Sequence, residues 1–295
     1  GFKFKKIGKS FNYFYKKSLP FSLTSSQKNV IKEIRKDFSK GVQMNRLLQG
    51  DVGSGKTIVA ILCSLIAIDN DFQSTIVAPT EILAQQHYNS FKSLLKETNV
   101  KCSLLTGSST KKERNDIKNT LIDGSLNILI GTHAVLQGNV EFKNLGLAII
   151  DEQHRFGVAQ RSKLWLKNNL PPHILVMTAT PIPRTLAMSI YGDLDISIIK
   201  ELPPGRLPVK TFHRYENKRL QVFKFIKDQI ENNEQVYIVY PLIEESSKLD
   251  YKDLMDGYES ISRYFPKPKY QISIVHGKMS SEEKKIEMDR FINHQ

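Results

Sequence analysis

The chain has 295 residues, 40% of them hydrophobic, which is enough for one large domain or two moderate ones with a buried core. Its formal net charge of +13 favours a polyanionic partner, although charge alone does not separate nucleic acid from an anionic membrane or a ribosome. Much of the excess is lysine, which also fits a compositional bias spread over solvated surfaces.

The two cysteines, Cys63 and Cys102, are far apart and belong to no Cys/His cluster, which argues against a disulfide framework and a structural zinc site. We therefore expect a reducing compartment, the cytoplasm. No apolar run approaches the roughly 20 residues that span a bilayer. The start, residues 1–4, is interrupted by lysine and does not resemble a signal sequence. We expect a soluble protein without a membrane partner.

Residues 1–18 hold six lysines and no acidic residue, interleaved with aromatic residues. One interpretation is an arm whose lysines grip phosphates and whose aromatic rings stack on bases. The other is an amphipathic connector whose aromatic rings dock on an upstream domain. We favour the connector.

From Leu19 to about Lys200, short β-branched runs alternate with longer helical patterns. This alternation predicts a parallel α/β fold. The strands read as nearly continuous apolar runs, which indicates helices on both faces of the sheet. Ligands of such folds gather at the carboxyl ends of the strands. The clearest predicted strands are 74–77, 126–130, 147–150 and 173–177.

A linker is predicted at residues 201–214, because its first part, Glu-Leu-Pro-Pro-Gly-Arg-Leu-Pro, suits neither a helix nor an inner strand. Residues 215–295 then begin a second α/β unit that is too short for a whole domain. Its predicted strands are 236–239 and 271–275, and its predicted helices are about 217–232 and 280–292. Because the chain starts at glycine and stops after a helical pattern, we expect both ends to be cut.

Residues 50–57 fit the phosphate-binding pattern GxxxxGK[ST], between the end of a predicted strand and an apolar helical pattern. Backbone N–H groups and the helix N-terminus would cradle phosphates. Lys56 would reach the β- and γ-phosphates, and Thr57 would offer its hydroxyl to Mg²⁺. A purely structural glycine loop is a poor competitor. The predicted ATP-binding residues here are Gly50, Asp51, Val52, Gly53, Ser54, Gly55, Lys56 and Thr57.

Asp151 and Glu152 follow another apolar predicted strand. Asp151 would hold Mg²⁺, and Glu152 would orient and deprotonate the attacking water, which is metal-assisted phosphoryl transfer. An acidic pair after a strand is also common as a turn or a helix cap. The loop at Lys56 favours the catalytic interpretation.

Two longer strings, Asp-Glu-Gln-His-Arg-Phe-Gly-Val at 151–158 and Met-Thr-Ala-Thr-Pro-Ile-Pro-Arg-Thr at 177–185, resemble motifs II and III of superfamily 2 helicases. The resemblance implies a RecA-like P-loop lobe at 19–200, the beginning of a second RecA-like lobe at 215–295, and ATP and Mg²⁺ as cofactors. The catalytic residues that it implies are Lys56, Thr57, Asp151, Glu152, Gln153 and His154. The residues that it implies for coupling the ATP site to DNA are Thr178, Ala179 and Thr180.

Other segments resemble family motifs in order. Residues 19–27 are similar to the adenine-reading Q motif, in which the amide of Gln27 would pair with the adenine edge, while Phe21 either stacks there or belongs to the core. Residues 78–87 and 131–137 resemble motifs Ia and Ib, which implies contacts to the DNA backbone. The DNA-contacting residues implied are Thr80, Glu81, Thr132 and His133. Helix capping is the alternative for the two threonines. No role is predicted for His87, His173, His213 and His294.

Within superfamily 2, the strings GDVGSGKT, DEQHRFGV, TATPIPRTLA, ELPPGR and PLIEES are similar to the RecG family of branched-DNA helicases. The resemblance implies an ATP-dependent motor on forked or branched DNA, active in repair and recombination. We also expect a monomer. Transcription-repair coupling factors are similar, but typically differ at the positions of Ser54 and Gln153.

Two further alternatives remain open. Motifs V and VI, whose arginines complete the ATP site in this family, lie outside the sequence, so a truncated nucleotide- and DNA-binding module without turnover is one alternative. We expect little hydrolysis from these residues alone and an exposed edge on the second sheet. The other alternative, an unrelated P-loop ATPase such as a transporter subunit, leaves residues 178–180 unexplained.

Overall fold

The structure, a computed structural model, describes residues 1–152, 164, 167–180, 194–201, 209–240 and 249–294. The chain divides into two compact units, Gly1–Leu207 and Pro208–Gln295. Most of the proline-containing part of the predicted linker, residues 202–208, lies outside the described residues.

A wholly parallel sheet forms the centre of the first unit, with seven strands among the described residues in the order β3-β4-β2-β5-β6-β1-β7. The predicted parallel α/β fold is confirmed, and the four predicted strands correspond to β2, β4, β5 and β6. The strands are β1 (Asn45–Gly50), β2 (Gln73–Val77), β3 (Cys102–Leu105), β4 (Ile128–Gly131), β5 (Leu145–Asp151), β6 (His173–Thr178) and β7 (Asp195–Ile199).

The helices of the first unit are mostly the long connections between these strands. They are α1 (Lys9–Tyr13), continued by a π-helical turn (Phe14–Ser18), then α2 (Ser25–Lys40), α3 (Lys56–Asp69), α4 (Glu81–Leu94), α5 (Lys111–Asp123) and a 3-10 turn (His133–Leu136). Thr24 and Thr110 begin α2 and α5 with capping boxes, so side chains satisfy N–H groups that the first turn leaves open. Among the described residues, no helix has the length and apolar character to cross a bilayer.

Apolar side chains of the strands alternate between two cores, one on each face of the sheet. Ile149 packs with α3, in which every residue from 58 to 67 is buried, whereas the neighbouring Ile150 packs with Leu121 of α5 on the other face. This coverage of both faces explains why the strand sequences lack polar alternation.

The aromatic residues of the N-terminal segment pack into the core of the first unit itself. Phe4, Phe11 and Phe14 are buried, and the Phe4 ring lies 4.9 Å from the ring of Phe38 and 4.8 Å from that of His173. The prediction that this segment docks its aromatic residues on an upstream domain is therefore wrong for these three. An intramolecular core was available to them, and burying apolar surface there needs no second domain.

The second unit contains α6 (Arg219–Glu231), α7 (Leu249–Tyr264) and α8 (Ser281–Ile292), with a 3-10 turn (Glu216–Lys218) before α6. The two predicted helical segments are confirmed as α6 and α8. A small apolar cluster joins α6 to α7 and to the loop that follows, and its buried members are Phe223, Ile261, Phe265 and Tyr270.

The strands predicted at 236–239 and 271–275 do not form. Neither segment pairs with a strand among the described residues, and the side chains of Tyr237 and Val239 are 65% and 82% exposed. A parallel strand depends on backbone bonds from a neighbour, and a β-branched sequence alone does not supply one. The expected exposed edge of a second sheet is absent from the described residues for the same reason.

Candidate nucleotide and DNA site

The phosphate-binding loop leaves the carboxyl end of β1 and enters α3. Gly53 and Gly55 have φ angles of +77° and +90°, which favour glycine because a Cβ is strained there. A Cβ on Gly55 would also lie 2.3 Å from Nε2 of Gln27, and one on Gly50 would lie 2.5 Å from Oγ of Ser54. The loop therefore requires glycine at these positions to keep its closed shape.

Lys56, the first residue of α3, folds back over this loop. Its Nζ donates hydrogen bonds to the carbonyl oxygens of Gly50, at 2.6 Å, and Asp51, at 3.1 Å. The ammonium group thus already lies at the loop, next to the N-terminal end of α3. Phosphates bound there would face both the positive end of the helix and a cation.

Gln27 supports the loop from α2. The side chain is 1% exposed, its Nε2 donates to the carbonyl of Ser54 at 2.8 Å, and its Oε1 accepts the N–H of Thr24 at 2.9 Å. Both ends of the amide are engaged within the protein, so it does not present the open pair of groups predicted to read an adenine edge. Phe21, which we predicted either to stack on a base or to lie in the core, is 49% exposed and is not a core residue.

Asp151 and Glu152 lie at the carboxyl end of β5. Thr178 lies at the carboxyl end of β6, the strand between β5 and β1. Adjacent strands are about 4.8 Å apart, which brings these side chains within roughly 10 Å of the loop after β1. Glu152 has a φ of +48° and donates its N–H to the carbonyl of Met177 at 2.9 Å. A non-glycine residue in this region costs about 1–3 kcal/mol and is typical of functional sites.

The side chain of Glu152 bonds to the Thr-Ala-Thr segment. Its Oε1 accepts the backbone N–H of Ala179 at 3.0 Å, and its Oε2 lies 3.5 Å from Oγ1 of Thr178. That hydroxyl in turn accepts the N–H of Thr180 at 3.1 Å. Glu152, one of the predicted catalytic residues, thus forms one hydrogen-bonded unit with the predicted coupling residues.

His87 of α4 is a site residue that the sequence did not indicate. Its Nε2 lies 2.7 Å from Oδ2 of Asp151, and the two side chains are 12% and 10% exposed. The residues are 64 positions apart, and no spacing pattern joins them. Only the packing of α4 against the sheet brings them together.

The predicted DNA-contacting residues of the first motif are divided between two roles. Thr80 is the N-cap of α4, since its hydroxyl accepts the N–H of Leu83 at 3.3 Å, so capping is one of its functions. Glu81 accepts both the N–H and the hydroxyl of Ser108, each at 3.1 Å. Because a carboxylate repels phosphate, this geometry assigns Glu81 to bracing the neighbouring loop.

The second motif follows β4. Thr132 is buried, its N–H donates to the carbonyl of Leu105 at 3.2 Å, and its side chain makes no capping bond, while His133 is exposed. The loop after β3 lies beside this motif. The guanidinium of Arg114 donates hydrogen bonds to three carbonyl oxygens of that loop. Sequence patterns did not indicate this loop, since Arg114 reads as an ordinary helix residue.

The DEAD/DEAH box helicase family model matches residues 24–189, more than half of the chain and the whole of the site just described. The chain belongs to this family.

Among relatives of this chain, the ATP-dependent DNA helicase RecG of Aquifex aeolicus is 53% identical over 274 residues, 92% of the chain and 34% of the relative. RecG of Bacillus subtilis is 46% identical over 279 residues, 94% of the chain and 41% of the relative. A solved structure of RecG bound to a three-way DNA junction matches with a TM-score of 0.80 at 40% identity. The match covers 100% of this chain and 38% of the RecG chain. The predicted resemblance to RecG is confirmed, and the chain spans about two-fifths or less of each of these relatives.

The residues at this site fit a Mg²⁺-nucleotide. The described residues contain no group of three or more His, Cys, Asp or Glu side chains that could hold a metal by themselves. Mg²⁺ at nucleotide sites characteristically takes one or two protein oxygens together with phosphates, and Thr57 and Asp151 are the two residues predicted to supply them. Oγ of Ser54 is buried without a partner among the described residues, and a phosphate oxygen would satisfy it.

Part of the helicase signature lies outside the described residues. This applies to Gln153 and His154 of the catalytic prediction and to all of the second string after Thr180, residues 181–185. The roles of these two residues therefore stay predictions from the family resemblance.

Proposed function

We propose that the chain is the ATP-binding core of a DNA motor that couples Mg²⁺-ATP hydrolysis to movement on forked or branched duplex DNA. The observation that carries the proposal is the hydrogen-bonded unit of Glu152 with Ala179 and Thr178, at the carboxyl ends of two strands beside the phosphate loop. The relatives add the substrate class, since one is named for its complex with a three-way DNA junction.

The ATP would lie with its phosphates on the loop at residues 50–57, where backbone N–H groups and Lys56 neutralise their charge. Thr57 and Asp151 would hold Mg²⁺, which supplies Lewis-acid stabilisation of the charge that develops on the phosphates. Glu152 would orient a water molecule for attack on the terminal phosphorus and accept its proton. Gln153 and His154 complete the proposed catalytic set.

The Thr-Ala-Thr segment would couple ATP hydrolysis to the grip on DNA. When Glu152 changes its interactions during turnover, the N–H of Ala179 and the hydroxyl of Thr178 lose or regain a partner. This exchange would alter residues 178–180, which lead away from the sheet. Thr80 and His133 would hold the DNA backbone without reading bases, as a motor that moves over any sequence requires.

We assign residues 19–200 to the first motor lobe, 201–214 to the linker and 215–295 to the beginning of the second lobe. Residues 1–18 lead into the first lobe. We further propose a monomer that works in the cytoplasm, in repair of replication forks and remodelling of recombination intermediates.

The test is strand separation by the full-length protein on a labelled three-way junction and on a linear duplex of the same sequence. Mg²⁺-ATP should drive separation of the junction well above that of the duplex, and Glu152→Gln should abolish it. Binding of the junction with neither separation nor hydrolysis would favour the alternative, a nucleotide- and DNA-binding module without turnover.

A further inference from the structure

The hydrogen bond between His87 and Asp151 joins a helix to a proposed metal ligand. An ionised carboxylate can only accept, so the Nε2–H of His87 donates to Oδ2 of Asp151, at 2.7 Å. The distance is typical of a charge-assisted bond, and the low exposure of both side chains shields it from water. The orientation of the Asp151 carboxylate is thus tied to the position of α4.

The same helix begins at the proposed DNA surface. Thr80 is its N-cap, and His87 follows seven residues later, which is about 10 Å along a helix axis at 1.5 Å per residue. Ala84 and Phe91 anchor α4 between and beyond these positions, and both are 0% exposed. A helix anchored in this way carries a displacement of its first turn to its second.

We propose that His87 is a positioning residue that holds the Asp151 carboxylate for Mg²⁺ and connects it with DNA bound at the start of α4. The inference rests on the proposed function, in which Asp151 is the metal ligand and Thr80 contacts DNA. A carboxylate has about four lone-pair sites, so one bond to His87 leaves sites for a metal. Hydrogen bonds to ligating groups typically raise metal affinity about 10–100-fold, because they fix the orientation of the ligand.

The connection works in both directions. DNA that shifts α4 would adjust Asp151 through His87, and a metal held by Asp151 would favour the helix position that suits it, because coupling between two sites is reciprocal. The Thr-Ala-Thr segment joins Glu152 to β6. His87 would therefore provide a second route, from Asp151 to α4.

Three substitutions separate positioning from simple packing. His87→Ala removes the donor, and His87→Gln places an amide N–H at a similar reach. Ser93→Ala changes an exposed residue of the same helix and is the matched control. Correct folding of each variant is checked by its nucleotide affinity in the presence of EDTA, where no metal contributes.

The first readout is binding of a fluorescent ADP analogue to the full-length protein at increasing Mg²⁺ concentration. In His87→Ala, the Mg²⁺ concentration for half-maximal enhancement of binding should rise about 10-fold, while affinity in EDTA stays at the wild-type value. His87→Gln should recover most of the loss. An unchanged Mg²⁺ dependence in His87→Ala, or an equal loss of affinity in EDTA, would overturn the inference.

The second readout is the ratio of ATP hydrolysis with and without a three-way junction, at saturating Mg²⁺ and ATP. This ratio should fall several-fold in His87→Ala through kcat, with little change in KM for ATP, and Ser93→Ala should match the wild type. A wild type without DNA stimulation would refute the proposed function itself. A stimulated wild type with an equally stimulated His87→Ala refutes only the role of His87.

Discussion

The carboxylate of Glu152 accepts the backbone N–H of Ala179 at 3.0 Å, which joins the residue after β5 to the segment after β6. The bond depends on an acceptor oxygen, whereas activation of water depends on a negative charge. These two functions of one side chain can therefore be separated by substitution.

Glu152→Gln retains an acceptor oxygen for Ala179 but removes the base. We expect ATP hydrolysis to fall by at least about 100-fold, while affinity for a nucleotide analogue stays near the wild-type value. Phosphate release and equilibrium binding measure the two effects. Loss of nucleotide binding in parallel with hydrolysis would show instead that Glu152 shapes the site rather than acting in the reaction.

Asp37 and Arg46 form a buried ion pair that ties α2 to β1, with Nη2 of Arg46 2.6 Å from Oδ2 of Asp37 and side chains 9% and 6% exposed. Asp37→Ala leaves the guanidinium buried with weaker partners, so we expect a loss of about 3 kcal/mol in the free energy of unfolding. Lys40→Ala removes a half-exposed partner of the same carboxylate and should cost less than about 1 kcal/mol. Urea unfolding measures both. Equal effects of the two variants would contradict the assignment.

His173 is held neutral by its surroundings. Its Nδ1 accepts the N–H of Met44 at 2.9 Å and its Nε2–H donates to the carbonyl of Phe2 at 3.0 Å, so a proton on Nδ1 would oppose Met44. Burial of the ring lowers the pKa of His173 from 6.5 to about 4.

Since the unfolded chain binds this proton more readily, the contribution of His173 to stability is complete above pH 6.5 and is lost as the pH falls towards 4. His173→Gln should therefore destabilise the protein most at neutral pH, and the difference from wild type should shrink by roughly 3 kcal/mol on acidification. Urea unfolding across this pH range gives the two curves. A difference that does not change with pH would mean that His173 titrates alike in the folded and unfolded states.

The two thiols should react at different rates. Burial within α3 raises the pKa of the Cys63 thiol far above its usual range. Burial also raises the pKa of Cys102, on the edge strand β3, but the charge of Lys92 opposes the shift, and this residue is only partly buried. A maleimide followed by peptide mass analysis should label Cys102 first and Cys63 only on unfolding. Labelling of both at one rate would contradict the packing of α3.

Patterns that are local in sequence predicted most of the first unit. The phosphate loop is continuous in the chain, and its glycines, its lysine and its flanking strand and helix all satisfy one backbone geometry. The strands could be predicted because helices cover both faces of the sheet. The strand residues are therefore apolar on both faces, which gives the continuous apolar runs at 147–150 and 173–177.

The interactions that were missed depend on tertiary packing. His87 lies beside Asp151 because α4 packs against the sheet. Phe4 packs against Phe38 of α2 and His173 of β6. Gln27 is the glutamine that the Q motif requires, but in this structure its amide hydrogen-bonds to Ser54 of the phosphate-binding loop. The segments 236–239 and 271–275 have suitable residues for strands, but strand formation needs a partner that composition does not reveal.

The most direct measurement is phosphate release from Mg²⁺-ATP by the full-length protein, with and without a three-way DNA junction, beside a Lys56→Ala control. We expect the junction to raise the rate in the wild type and Lys56→Ala to abolish it under both conditions. A rate that does not change when DNA is added, or that is retained in Lys56→Ala, would contradict the assignment of this chain as the ATP-binding core of a DNA motor.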